Sequence, residues 1–139
     1  MKKNNFAIGI DFGTLNCRFG IWRENGFEII CDEKGRSSIS SVVEMINENL
    51  RIIGEEKILE DETNRIYDLK RFIGRELEEK KMQKEIKNYP FKFIDQKGRL
   101  KIEISFGKSK KSFYPEELLA IIFIRIKVKK IKKNLEKIN

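Results

Sequence analysis

Phe6-Ala7-Ile8-Gly9-Ile10-Asp11-Phe12-Gly13-Thr14-Leu15-Asn16-Cys17-Arg18-Phe19-Gly20-Ile21-Trp22 is the stretch on which the reading of the fold turns. Phe6 to Ile10 is a continuous apolar run, the pattern expected of a buried strand. Asp11 to Asn16 is turn material. Cys17 to Trp22 then alternates, which places Cys17, Phe19 and Ile21 on one face of a second strand. No helix fits between the two runs, so the chain opens as a strand meander. Asn25-Gly26 is a strong hairpin signal, and Phe27–Cys31 is the returning strand.

Working outward, two short strands are expected at Val42–Met45 and Arg51–Ile53. From Gly54 to Lys87 the pattern turns helical. Thr63-Asn64 caps a helix carrying Ile66, Tyr67, Leu69, Lys70 and Phe72, which Gly74 ends. Glu76–Lys87 reads as a charged helix with little apolar surface, stopped by Pro90. Phe91–Ile94 and Leu100–Ile104 alternate around Gln96-Lys97-Gly98-Arg99, a half-exposed hairpin, and a third strand, Lys111–Tyr114, follows Gly107. Pro115 at a first helical turn, with Glu116 and Glu117, opens the last helix. Leu118–Ile124 is apolar on all sides and expects burial, or a partner surface where burial is incomplete. The class is α/β.

The 139 residues suit one domain with one core. Apolar residues make up 40%, enough for that core, while 37% are charged against about a quarter in an average domain. The formal net charge of +8 suits an anionic partner. Most of the excess sits at one end, in Arg125, Lys127, Lys129, Lys130, Lys132, Lys133 and Lys137. These lysines spread around a helix without interleaved aromatics, so the stacking platforms of single-strand binders are missing and no specific nucleic-acid binding is expected. Histidine is absent, which excludes Ser-His-Asp and Cys-His chemistry and removes a usual zinc ligand. Cys17 and Cys31 would point to opposite faces of their hairpin, so no disulfide is expected. The longest apolar run, Leu118–Ile124, falls far short of the roughly 20 residues of a membrane span, and no secretory signal is visible. A soluble, cytoplasmic protein is expected.

Two segments carry a chemical signal. In Asp11-Phe12-Gly13-Thr14, a tight turn at Gly13 lets backbone N–H groups approach phosphate oxygens, and Thr14 adds a hydroxyl. Asp11 could hold magnesium through its water shell, which suits an ion that dehydrates reluctantly. The same four residues equally suit an ordinary hairpin turn. In Asp68-Leu69-Lys70-Arg71, two adjacent cations could clamp a terminal phosphate or stabilise charge developing during its transfer. Equally, basic residues late in a helix merely favour its dipole. The P-loop fingerprint is absent.

Ile8-Gly9-Ile10-Asp11-Phe12-Gly13-Thr14-Leu15-Asn16-Cys17 closely resembles the first phosphate loop of the heat-shock protein 70 family. Phe27-Glu28-Ile29-Ile30, Gly35-Arg36-Ser37-Ser38, Arg51-Ile52-Ile53-Gly54-Glu55, Asp68-Leu69-Lys70-Arg71-Phe72-Ile73-Gly74-Arg75, Tyr89-Pro90-Phe91-Lys92 and Ser112-Phe113-Tyr114-Pro115-Glu116-Glu117 follow in family order. The resemblance implies part of an actin-like (ribonuclease H-like) ATPase lobe: a strand meander, short helices, a β-hairpin subdomain and a C-terminal helix. Residues 1–126 would form the partial nucleotide-binding domain and 127–139 a basic helical tail without family character.

Carried over by position, the resemblance implies that Gly13, Thr14, Leu15 and Asn16 line the phosphate turn and that Asp11 sits near magnesium. Lys70 would reach the terminal phosphate of ATP or ADP and help position the attacking water, and Arg71 would lie near the base. Unfolded or nascent polypeptides and co-chaperones would be the partners of a full-length relative. There are departures. Leu15 stands where the family carries a second threonine, Ile39 where it carries a proline, and the stretch from Gly54 to Lys70 is a few residues shorter. The second phosphate loop and the adenosine-binding lobe would lie beyond Asn139. The expectation is therefore an N-terminal fragment of an ATP-dependent chaperone, inactive alone. The alternatives are a non-catalytic remnant and, third, a small basic nucleic-acid-binding protein.

Overall fold

The computed structural model describes residues 7–23, 26–32, 34–49, 51–54 and 62–126. The opening meander is a sheet in which β1 (Ile8–Phe12) pairs antiparallel with β2 (Asn16–Arg23), setting Ile8 opposite Ile21 and Phe12 opposite Cys17. On the other side of β2 lie β3 (Gly26–Ile29) and, further along, β4 (Ile39–Ser40), whose Ile39 sits opposite Cys17. Ile39, where the resembled family carries proline, thus takes part in a strand pairing.

The register puts Ile8, Ile10, Phe12, Cys17, Phe19 and Ile21 on one face. That face is covered on β2 and at the end of β1, where Phe12 packs edge-on against Phe123. Cys17, Phe19 and Ile21 are buried, whereas Ile8 is 41% and Ile10 47% exposed. Among the described residues the first strand is thus an edge strand, more exposed than its apolar run predicts. The run specifies an extended conformation, but burial depends on what lies beside and beneath the strand. Among the described residues nothing pairs with the far side of β1.

A second sheet has β5 (Val43–Met45) at its centre between β6 (Arg51–Ile53) and β7 (Arg65–Ile66). The segment around β7 corrects the expected helix at 63–74. Ile66 is extended and pairs with Val43, and Asp68 has φ 56° in the left-handed region, so two short 3-10 turns, Glu62–Asn64 and Leu69–Arg71, stand in place of the helix. Asn64 caps no α-helix. Its side-chain amide donates to the Ser105 carbonyl (2.8 Å) and accepts from the Ser105 N–H (3.3 Å). Gly74, at φ 68°, does end the local turn. The charged helix survives in shortened form as α1 (Lys80–Glu85), with Met82 its buried residue.

The third sheet is the expected hairpin with its extra strand: β8 (Lys92–Gln96), β9 (Arg99–Phe106) and β10 (Ser109–Phe113), β9 central. Lys97 (φ 54°) and Gly98 (φ 81°) both take positive φ, as a primed hairpin turn requires. Leu100, Ile102 and Ile104 of β9 are buried. α2 (Pro115–Ile126) packs across β5, β9, β10 and the Leu69–Arg71 turn. Its first turn is closed by the Glu117 carboxylate, which accepts the Tyr114 N–H at 2.7 Å. The apolar stretch of α2 divides: Leu118 and Ile122 are fully buried, whereas Ile124 is 60% exposed. The lysine-rich stretch 127–139 lies outside the described residues.

Candidate functional site

The Asp11–Asn16 turn is tight because the Gly13 N–H reaches back across it to the Asn16 carbonyl at 3.0 Å. A Cβ on Gly13 would lie 2.6 Å from that same oxygen, so only glycine fits. Among the described residues, the amides of Thr14 and Leu15 make no hydrogen bond within the protein, which leaves donors at the tip of the turn. Leu15 is 71% exposed, projecting from the tip of the turn. Asp11 lies opposite Arg18 in the ladder, and its charge helps to raise the Cys17 thiol pKa.

Ser41 fixes the turn from below. Its N–H donates to the Leu15 carbonyl (2.8 Å), its hydroxyl donates to the Gly13 carbonyl (3.0 Å), and the Cys17 sulfur lies 3.0 Å from that hydroxyl. Burial is the main reason the Cys17 thiol is pushed up, partly offset by the bond to Ser41. Both cysteines are free; Cys17 is buried and Cys31 exposed.

Lys70 closes the turn from the side. Its ammonium Nζ donates to the Phe12 carbonyl at 3.0 Å, joining residues 58 apart in sequence. The helix expected to present it is only a 3-10 turn, and that turn is held by its neighbours. Asp68 accepts the Tyr89 hydroxyl at 2.9 Å and faces the Arg71 guanidinium at 3.4 Å. Arg71 also meets Glu85 at 3.3 Å, so its guanidinium is engaged by carboxylates. Burial and the bond to Asp68 raise the Tyr89 phenol well above its ordinary pKa. Tyr67, Phe72, Phe91 and Phe93 pack against or around the Tyr89 ring.

The structure thus gathers Phe12, Gly13, Asn16 and Lys70 into one corner, with Asp11 one residue away on β1. It gives Arg71 a different occupation. Ser41 and Tyr89 were not singled out by sequence reasoning. Nothing local marks Ser41, since its partners lie 24 to 28 residues away. Among the described residues no three Cys, Asp or Glu side chains gather as a metal cluster.

A model of the Hsp70 protein family matches residues 7–138. The chain belongs to the Hsp70 protein family. This Hsp70 chain is 33% identical over 124 residues to the heat shock 70 kDa protein 2 of Paracoccidioides lutzii and 34% over 124 residues to the heat shock 70 kDa protein of Neurospora crassa. Each match covers 87% of this chain and 19% of the relative. The heat shock cognate 70 kDa protein 3 of Dictyostelium discoideum is 32% identical over 126 residues, 87% of this chain and 20% of its own. The Hsp70 chain therefore spans about a fifth of the length of the curated relatives it matches. Among its described residues no helix is long and apolar enough to cross a membrane.

Proposed function

We propose that this chain is the N-terminal part of an ATP-dependent Hsp70-type chaperone, supplying one wall of an actin-like nucleotide cleft. The observation that carries the reading is the Lys70 ammonium on the Phe12 carbonyl, at the start of a turn whose Thr14 and Leu15 amides make no bond among the described residues. A cation beside a tight turn with spare backbone donors is the kind of arrangement that holds a polyphosphate. ATP or ADP with magnesium is the group in question, and ATP would bring the phosphoryl bond to be cleaved. Gly13, Thr14, Leu15 and Asn16 would face its phosphates, Asp11 would lie near the hydrated magnesium, and Lys70 would leave Phe12 to meet the terminal phosphate. Arg71 would reach the nucleotide only by giving up Asp68 and Glu85.

Residues 1–126 form the partial nucleotide-binding domain in this reading, with 127–139 as a basic tail. Unfolded polypeptides and co-chaperones belong to a full-length protein of this kind, working in the cytoplasm. For these 139 residues taken by themselves the nucleotide would stay largely solvated, and loss of two or three charge-assisted contacts at about 1.5–3 kcal/mol each weakens binding by orders of magnitude. A non-catalytic role is the second reading, favoured by the exposed Ile8, Ile10, Trp22, Phe27, Ile29 and Ile124. Of these, Ile124 is what remains of the expected contact surface along Leu118–Ile124.

The test is an amide-resolved NMR titration with Mg-ATP, and in parallel with adenosine. Shifts at Thr14, Leu15 and Asn16 with Mg-ATP but not adenosine, weakened in Lys70→Ala, are expected. If these amides stay still at saturating Mg-ATP, the phosphate reading is wrong.

A further inference from the structure

In a trans peptide plane the carbonyl of one residue lies antiparallel to the N–H of the next, so fixing a carbonyl aims the amide that follows it. Ser41 fixes two carbonyls of the Asp11–Asn16 turn. Its hydroxyl donates to the Gly13 carbonyl at 3.0 Å, and its own N–H donates to the Leu15 carbonyl at 2.8 Å. Both peptide bonds that follow are trans. The Thr14 and Asn16 N–H groups are thereby turned away from Ser41, which is buried. Cys17 sets the sense of the first bond. The Ser41 hydroxyl has one proton and Gly13 takes it, so in the 3.0 Å contact with Cys17 the thiol donates and the hydroxyl oxygen accepts. Burial keeps that thiol protonated.

We propose that Ser41 is the positioning residue of this turn: it holds the Thr14 and Asn16 amides at the angle a phosphate group needs, without touching the phosphate itself. This role rests on the phosphate reading above and adds to it that the polyphosphate chain, not the nucleoside, is the part of the ligand Ser41 controls. A donor already aimed costs no reorganisation when the anion arrives, whereas a peptide plane free to rotate must first be ordered. The two amides depend on Ser41 in different ways. The plane that carries the Thr14 N–H is held by the Ser41 side chain, and the plane that carries the Asn16 N–H by the Ser41 backbone. A substitution at Ser41 therefore releases the first and leaves the second in place. Cys17 acts one step further back, on the hydroxyl and not on the turn carbonyls.

The test compares the 139-residue parent with Ser41→Ala, by N–H residual dipolar couplings without ligand and by NMR titration with Mg-ATP and with magnesium tripolyphosphate. With an unchanged circular dichroism spectrum, the Thr14 N–H vector in Ser41→Ala is expected to reorient while that of Asn16 stays. Affinity for both ligands is expected to fall by the same factor, about fivefold or more. Cys17→Ala removes a buried atom beneath the same turn but leaves both Ser41 bonds to it, so it should weaken binding less. A Thr14 vector that stays put overturns the proposal, as does one that moves with no loss of affinity. Cys17→Ala weakening binding as much as Ser41→Ala overturns it too, since packing would then explain both, and so does a loss confined to Mg-ATP, since Ser41 would then act on the nucleoside. A parent whose turn amides ignore Mg-ATP fails before any variant is compared, and it removes the phosphate reading together with this role for Ser41. Should Ser41→Ala fail to fold, Ser41→Cys, a near-isostere with a weaker donor, decides by the same two readings.

Discussion

Ser41 is joined to the turn at three points, through Leu15, Gly13 and Cys17. It is 1% exposed, so no water can replace the hydroxyl's partners cheaply. Ser41→Ala leaves the Gly13 carbonyl and the Cys17 thiol short of a partner, and a loss of about 1–3 kcal/mol is expected in urea unfolding. An unchanged midpoint would show that the turn is held by Lys70 and the ladder alone. Tyr89 makes the second residue-scale argument. Its folded pKa is raised, by burial first and then by Asp68, so the protonated phenol is favoured in the folded state. The stability this contributes is fully present below the ordinary tyrosine value of about 10 and is lost as pH rises through the folded value. Tyr89→Phe removes a hydrogen bond to a carboxylate, at about 1.5–3 kcal/mol, toward the low end because Asp68 keeps Arg71. The variant should also flatten the decline in stability above pH ~10. Melts of parent and variant at neutral and alkaline pH read both effects, and parallel pH profiles would count against the assignment.

At the scale of elements, the β8–β9 hairpin shows how local chemistry sets a register. Lys97 holds φ 54° beside Gly98 at 81°, a conformation in which Asn-Gly is preferred over Lys-Gly. Lys97→Asn should therefore stabilise the chain by a few tenths to about 1 kcal/mol, read as a raised melting temperature. A lowered one would mean that the Lys97 side chain does something the turn geometry does not require. This hairpin was legible in the sequence because alternation and turn residues are both local, and Leu100, Ile102 and Ile104 fall on the buried face as their spacing demands. The stretch at 63–74 was not, because its helical spacing of apolar residues is overridden by the pairing of Ile66 with Val43 and by the left-handed Asp68. Burial of β1 was misread for a related reason: an apolar run states a preference, while a neighbour must supply the burial. The site was legible only in pieces. Gly13 announces its turn, but the meeting of Lys70 with Phe12 spans 58 residues and leaves no local trace.

For the whole molecule, catalysis is a question of how many sides of a phosphate the protein can reach. Phosphoryl transfer relies on positioning and on charge stabilisation around the transferring group, each directed from a different side. In the proposed site the Asp11–Asn16 turn and Lys70 would approach from one corner, and Arg71 is engaged by Asp68 and Glu85. The Lys70 ammonium is itself engaged by the Phe12 carbonyl, so binding a phosphate means exchanging that bond for another of similar kind and gains less than a free ammonium would. Holding an attacking water in line while stabilising the leaving oxygen asks for groups on a second side of the phosphate. The 139-residue chain should accordingly show no steady-state ATP hydrolysis above background, and Lys70→Ala should give the same trace as the parent. Phosphate release followed with both proteins at equal concentration makes the comparison. A release rate that falls when Lys70 is removed would mean that the corner already contains a working catalytic site.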